Sequence, residues 1–129
     1  MGSGGSKMAK TVLAVDDSAT MLANIKVTLE NAGYRVLTAS GGPEALRLLQ
    51  AGETVNAVLT DVNMPQMNGI ELVRAIRQLP RCRFVPVIVL TTVTEAARKE
   101  EARQAGATGW IVKPFKPDQL VAVLKKVGC

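Results

Sequence analysis

A chain of 129 residues is long enough for one domain with a proper hydrophobic core and short for two. It is 47% hydrophobic and 21% charged, as soluble globules are, and no run approaches the roughly 18 consecutive apolar residues that a membrane span needs. A net charge of +5 raises nucleic-acid binding as a class, but Arg74, Arg77, Arg98, Lys99, Arg103, Lys125 and Lys126 are scattered. Glu71, Glu95, Glu100, Glu101 and Asp118 interrupt them, and at 3% aromatic the chain has little to stack bases on. Solvated helix faces account for these charges more simply, so no direct nucleic-acid contact and no membrane insertion are expected.

Residues 1–7 look like an appended, disordered leader ahead of a natural start near Met8, leaving 8–129 as a single domain. The leader has no apolar stretch and cannot be a signal peptide. Cys82 and Cys129 have neither metal-ligand spacing nor partners for a disulfide framework, which fits a reduced, cytoplasmic protein.

Short β-branched runs alternate with helical periods along the chain. Strands are expected at Thr11–Val15, Arg35–Ala39, Ala57–Thr60, Pro86–Leu90 and Gly109–Val112. Several are apolar throughout, as parallel strands covered on both faces must be. The first helix stacks Leu22, Ile25, Leu29 and Ala32 on one face and closes on Gly33. Pro43 sits just inside the second, which carries Ala45, Leu46, Leu48 and Leu49 and stops near Gly52. The third shows Leu72, Val73, Ile76 and Leu79 before Pro80, and Pro117 opens the last, with Leu120, Leu124 and Val127 inward. The helix after Thr94 offers only Ala97, Ala102 and Ala105 to the core. Methyl groups in place of leucines forfeit about 1–2 kcal/mol per position, so this helix either shifts at low cost or packs unusually close to the sheet.

Chemistry-bearing residues stand at the strand ends. Val12–Val15 runs into Asp16 and Asp17, Ala57–Thr60 into Asp61, the fourth strand into Thr91 and Thr92, and Trp110–Val112 into Lys113. Each has an innocent reading alone: Asp16 and Asp17 as a helix cap, Asp61 as a turn starter, Lys113-Pro114 as a loop. In an open α/β sheet, however, ligands bind outside the carboxyl ends of parallel strands, where these residues would meet. Three carboxylates there suit a hard divalent cation, and the lysine suits a second anion.

The set Val15-Asp16-Asp17-Ser18, Thr60-Asp61-Val62-Asn63-Met64-Pro65 with Gly69, Leu90-Thr91-Thr92 and Lys113-Pro114-Phe115 resembles the receiver domain of two-component response regulators. Asp61–Gly69 and Gly106–Phe115 look most like single-domain chemotaxis regulators of the CheY type. The resemblance implies a doubly wound (βα)5, flavodoxin-like α/β fold. Its parallel five-stranded order, 2-1-3-4-5, is carried over from known proteins of that fold, CheY among them, and is not deduced from the sequence.

By the same resemblance, Asp61 is the phosphoacceptor and takes a phosphoryl group from a phosphohistidine of a chemotaxis-type histidine kinase. Mg2+, or Mn2+ in its place, would be held by Asp16, Asp17, Asp61 and the backbone carbonyl of Asn63. Lys113 and Thr91 would contact the phosphoryl oxygens. Thr91 and Trp110 would form the switch, Trp110 standing where the family usually has Tyr or Phe. Asn63 and Val93 would flank the path of hydrolytic water. The expected output is a phosphorylation-dependent change in binding to a flagellar motor switch protein or another output protein, with a phosphatase as a further partner, by a monomer that is not an enzyme beyond its own phosphorylation and dephosphorylation. The rivals are a receiver cut from a larger transcription factor or hybrid kinase, an aspartyl-phosphate phosphotransferase, and a degenerate receiver used as a scaffold.

Overall fold

Five parallel strands form one sheet of order β2-β1-β3-β4-β5, with β1 at Thr11–Val15, β2 at Arg35–Ala39, β3 at Ala57–Asp61, β4 at Val87–Thr92 and β5 at Gly109–Lys113. The helices between them are α1 (Ala19–Asn31), α2 (Gly42–Gln50), α3 (Gly69–Arg77), α4 (Ala96–Ala105) and α5 (Pro117–Lys126). The computed structural model describes residues 9–92 and 96–129. The expected leader boundary near residue 8, Val93 and the side chain of Ala97 lie outside the described residues.

Period-two alternation divides each central strand between two cores. Leu13, Val15, Val58, Val87 and Val89 face α2, α3 and α4. Val12, Ala14, Ala57, Leu59, Ile88 and Leu90 face α1 and α5. With both faces covered, a polar residue has few places inside the sheet except at strand ends.

α1 ends in a Schellman motif: the Gly33 N–H donates to the Glu30 carbonyl and that of Tyr34 to the Leu29 carbonyl, each at 3.0 Å, with Gly33 at φ 96°. Ile25 and Leu29 are buried as expected, but Ala32 is exposed, because as the C-cap it has left the helical face. α3 stops at Arg77 rather than Leu79, and Pro80–Cys82 form a 3-10 turn that buries Cys82. β3, β4 and β5 run one or two residues further than the hydrophobic pattern implies. The ladder continues through Thr91↔Val112 and Thr92↔Lys113, since backbone pairing does not require apolar side chains.

Two of the three alanines expected to face the core from α4 lie among the described side chains. Ala102 is buried and Ala105 half-buried. Its C-terminal end is tied down by Arg77, whose Nε and Nη2 donate to the Gly106 carbonyl at 3.0 and 2.8 Å while Nη1 donates to the carbonyls of Cys82 and Val85 at 2.9 and 2.6 Å.

The entry to α3 is fixed by a capping box in which the Glu71 N–H donates to Asn68 Oδ1 and the Asn68 N–H to Glu71 Oε1, both at 2.8 Å. This sets Gly69 against the end of β3, where a Cβ would lie 2.1 Å from the Asp61 carbonyl oxygen. That atom is backbone and cannot swing aside. Gly69→Ala is therefore expected to cost at least about 2 kcal/mol in urea unfolding. Gly109→Ala, whose Cβ would meet only Ile88 Cδ1 at 3.6 Å, should be neutral or slightly stabilising. Equal losses in the two variants would refute the close-approach account.

Candidate functional site

β1 pairs with β2 and β3 in phase, Val15 standing opposite both Ala39 and Thr60, so Asp16 and Asp61 leave the sheet side by side. The Asp16 N–H still donates to the Ala39 carbonyl at 3.2 Å. Its Oδ1 accepts from the Ser18 N–H at 2.9 Å. Ser18, not either aspartate, caps α1, its Oγ accepting from the Met21 N–H at 3.2 Å. Asp16 is 1% exposed, and its Oδ2 is buried without a hydrogen-bond partner. Asp17 beside it is exposed.

Asp61 is largely buried, and its Oδ1 accepts from the Val62 N–H at 2.9 Å and from Lys113 Nζ at 3.0 Å. The Thr60 hydroxyl donates to the Asp61 carbonyl at 3.0 Å. Lys113, last residue of β5, reaches two strands across the sheet and also lies 3.6 Å from Asp16 Oδ2. One ammonium therefore serves two buried carboxylates.

Carboxylate oxygens of Asp16, Asp17 and Asp61 all lie within 4.8 Å of one another. At an effective dielectric of about 20, like charges ~5 Å apart repel by roughly 3 kcal/mol, and a single lysine does not balance three of them. Burial is the main cause that pushes the Asp16 carboxyl above its ordinary value. Asp61 and Asp17 push the same way, against the Ser18 N–H and Lys113. Oxygen donors, two units of uncompensated charge and an orphaned buried oxygen together suit a hard divalent cation that keeps part of its water shell. Asp16, Asp17 and Asp61 are the residues that would hold it.

The remaining expected residues fall at the same edge or beside it. Thr91 is buried and follows Leu90, the cross-strand partner of Asp61. Asn63 is exposed two residues past Asp61. Trp110 is half-buried on β5 against the α2–α4 core, with Lys99 Nζ 3.9 Å from its ring centroid. Two residues escaped the sequence reading: Arg77, whose role depends on carbonyls from distant loops, and Lys99, whose aromatic partner is on another element.

The raised Asp16 pKa sets a pH dependence. The folded state binds the Asp16 proton more tightly than the unfolded chain, so this group's contribution to stability falls as pH rises through the folded-state value. Asp16→Asn keeps an oxygen for the Ser18 N–H and removes the penalised charge. Without divalent metal at pH 7, urea unfolding should show Asn more stable than wild type by about 1–2 kcal/mol, with the gap closing as pH falls through the folded-state value toward about 4. A destabilised variant at both pH values would mean the charge is not the cost.

The sequence matches the model of the response regulator receiver domain over residues 12–125. It is 43% identical to the chemotaxis protein CheY1 of Helicobacter pylori over 117 residues, 90% of this chain and 94% of the relative. The solved chemotaxis response regulator CheY4 of Vibrio cholerae superposes with a TM-score of 0.87 at 44% identity, over 92% of this chain and 98% of that one. The receiver domain of a sensor histidine kinase from Pseudomonas aeruginosa PAO1, solved with a magnesium ion in its active-site cleft, superposes at 0.84 with 30% identity, over 94% and 99%. The chain belongs to the response regulator receiver family and is a CheY-like receiver domain.

Proposed function

We propose that this receiver takes a phosphoryl group onto Asp61 from a phosphohistidine of a chemotaxis-type histidine kinase and thereby alters its binding to an output protein. The observation that carries this reading is Lys113, whose ammonium bridges Asp61 Oδ1 and Asp16 Oδ2 at the sheet's switch point. An Asp61 carboxylate oxygen attacks phosphorus, the phosphorus–nitrogen bond to histidine breaks, and an acyl phosphate forms. Charge spreads over the phosphoryl oxygens in that transition state, so positioning and electrostatics supply most of the catalysis. Bound Mg2+, or Mn2+, would neutralise those oxygens, and Asp16, Asp17, Asp61 and the Asn63 carbonyl are the ligands we assign to it. Lys113 holds Asp61 before transfer and, after it, is placed to pair with the phosphoryl group. Thr91, one residue beyond the cross-strand partner of Asp61, is assigned a hydrogen bond to the same oxygens.

The domain is a signalling switch, and the chemistry we assign to it is confined to gaining and losing its own phosphoryl group. A phosphotransferase acting through an aspartyl intermediate needs an acid–base carboxyl two residues past the nucleophile, where this chain has the amide of Asn63. Chemotaxis is favoured over a kinase-attached receiver because identity is 43–44% to the chemotaxis proteins and 30% to the kinase receiver. On that basis the output partner is a flagellar motor switch protein, read through the face of α4, β5 and α5, and a phosphatase would reset it. We take the unit to act as a cytoplasmic monomer without direct nucleic-acid contact. Among the described residues no helix is long and apolar enough to cross a membrane.

Acetyl phosphate with Mg2+ should add one phosphoryl group to wild type and none to Asp61→Asn, as read by intact mass. EDTA or Asp17→Ala should suppress labelling. Lys113→Ala should retain Mg2+ binding while its labelling rate falls on the order of 10²-fold, the effect of losing one preorganised charge donor. Equal labelling of Asp61→Asn would move the chemistry elsewhere, and loss of Mg2+ binding in Lys113→Ala would overturn the division of roles.

A further inference from the structure

Five charged residues lie on α4, and four pair along the helix, Arg98 with Glu101 at 3.5 Å and Arg103 with Glu100. Lys99 does not join them. Its Nζ crosses to β5 and sits over Trp110, 3.9 Å from the ring centroid. An ammonium at that distance is drawn to the negative face of the indole, more strongly than to Tyr or Phe. Elsewhere α4 is attached by the Ala102 methyl, by half-buried Ala105 and by the Arg77 clamp at Gly106, past its C-terminal end. Among the described residues, Lys99 is thus the charged side chain of α4 that ties the helix to β5.

We propose that Lys99 is a latch that fixes Trp110 against α4 in the resting state, so that phosphorylation is read out only when this cation–π contact breaks. The proposal rests on the assignment of Asp61 as phosphoacceptor and Trp110 as its switch partner, and it adds the element that sets the threshold. When Trp110 leaves its place under Lys99, α4 loses this tie to β5 and pivots about Arg77. A free ammonium then appears on the face that the partner reads. Since any signal must first overcome the latch, Lys99 lowers the resting population of the active state, and removing it raises apparent affinity for the phosphoryl group in proportion.

Lys99 is exposed, so substitutions there leave the fold intact. Trp110 is the only tryptophan, so its indole N–H gives one cross-peak and its emission one source. In the resting state Lys99→Gln should move that cross-peak and raise acrylamide quenching, whereas Lys99→Arg, which keeps a cation over the ring, should stay near wild type. Titration with beryllofluoride and Mg2+ should show apparent affinity tightened about two- to five-fold in Lys99→Gln and little changed in Lys99→Arg. The latch is overturned if Lys99→Gln leaves the resting indole signal unchanged, if Gln and Arg shift it alike, or if wild type and Lys99→Gln titrate identically. The resting comparison needs no phosphoryl mimic, so it decides the latch even where wild type fails to take beryllofluoride, a failure that would sink the phosphoacceptor reading alone.

Discussion

One ammonium between two buried carboxylates is the constraint around which the rest of the domain is arranged. Lys113 lies 3.0 Å from Asp61 Oδ1 and 3.6 Å from Asp16 Oδ2. Without it, Asp16, 1% exposed and with one oxygen unbonded, would be a buried charge with only the Ser18 N–H to steady it. Breaking a buried pair by removing one partner costs several kcal/mol, whereas the intact pair adds little net stability. The lysine is therefore better understood as a tolerance device that lets the fold carry an acidic cluster at its working edge. It leaves negative charge over, and that surplus is what a divalent cation can neutralise.

The fold delivers this arrangement through register. β5 brings Lys113 level with Thr92, and β3 brings Asp61 level with Leu90, so two strand ends and a long side chain span the gap that β4 fills. A tight place against backbone is Gly69, which lets α3 begin against the Asp61 carbonyl and so fixes the β3–α3 connection that carries Asn63. The capping box of Asn68 and Glu71 supplies the local force that keeps that helix start in place.

Much of the molecule was legible in the residues because the signals were local and periodic. The apolar runs of β1 and β2 begin and end where the strands do, and Gly33 closes α1 by a mechanism that the sequence names outright. Site placement was legible for a different reason: in a parallel sheet, charged residues at the ends of buried strands share one edge. Strand lengths past Leu90 were not legible, since the ladder carries Thr91, Thr92 and Lys113 by backbone pairing that polarity does not report. Nor could the sequence show that Ser18 would cap α1 and leave Asp16 for the site, because all of these side chains are competent caps. Strand order entered by resemblance, and the sheet has that order.

How firmly α4 is held follows from how the helix is attached. Its solvent face is satisfied by its own ion pairs, Arg98 with Glu101 and Arg103 with Glu100, which travel with the helix and cost nothing when it moves. Exposed pairs of this kind contribute about 0–1 kcal/mol each and do not anchor a helix to its neighbours. Among the described residues, what resists movement is the buried Ala102 methyl, half-buried Ala105, the Arg77 clamp and the Lys99–Trp110 contact. The clamp is the strongest of these, a guanidinium shared among several carbonyls, and it acts at the end of the helix rather than along it. A leucine-faced helix would resist movement with several kcal/mol of burial. Alanines on α4 thus leave its hold on the sheet to small contacts and to its C-terminal clamp.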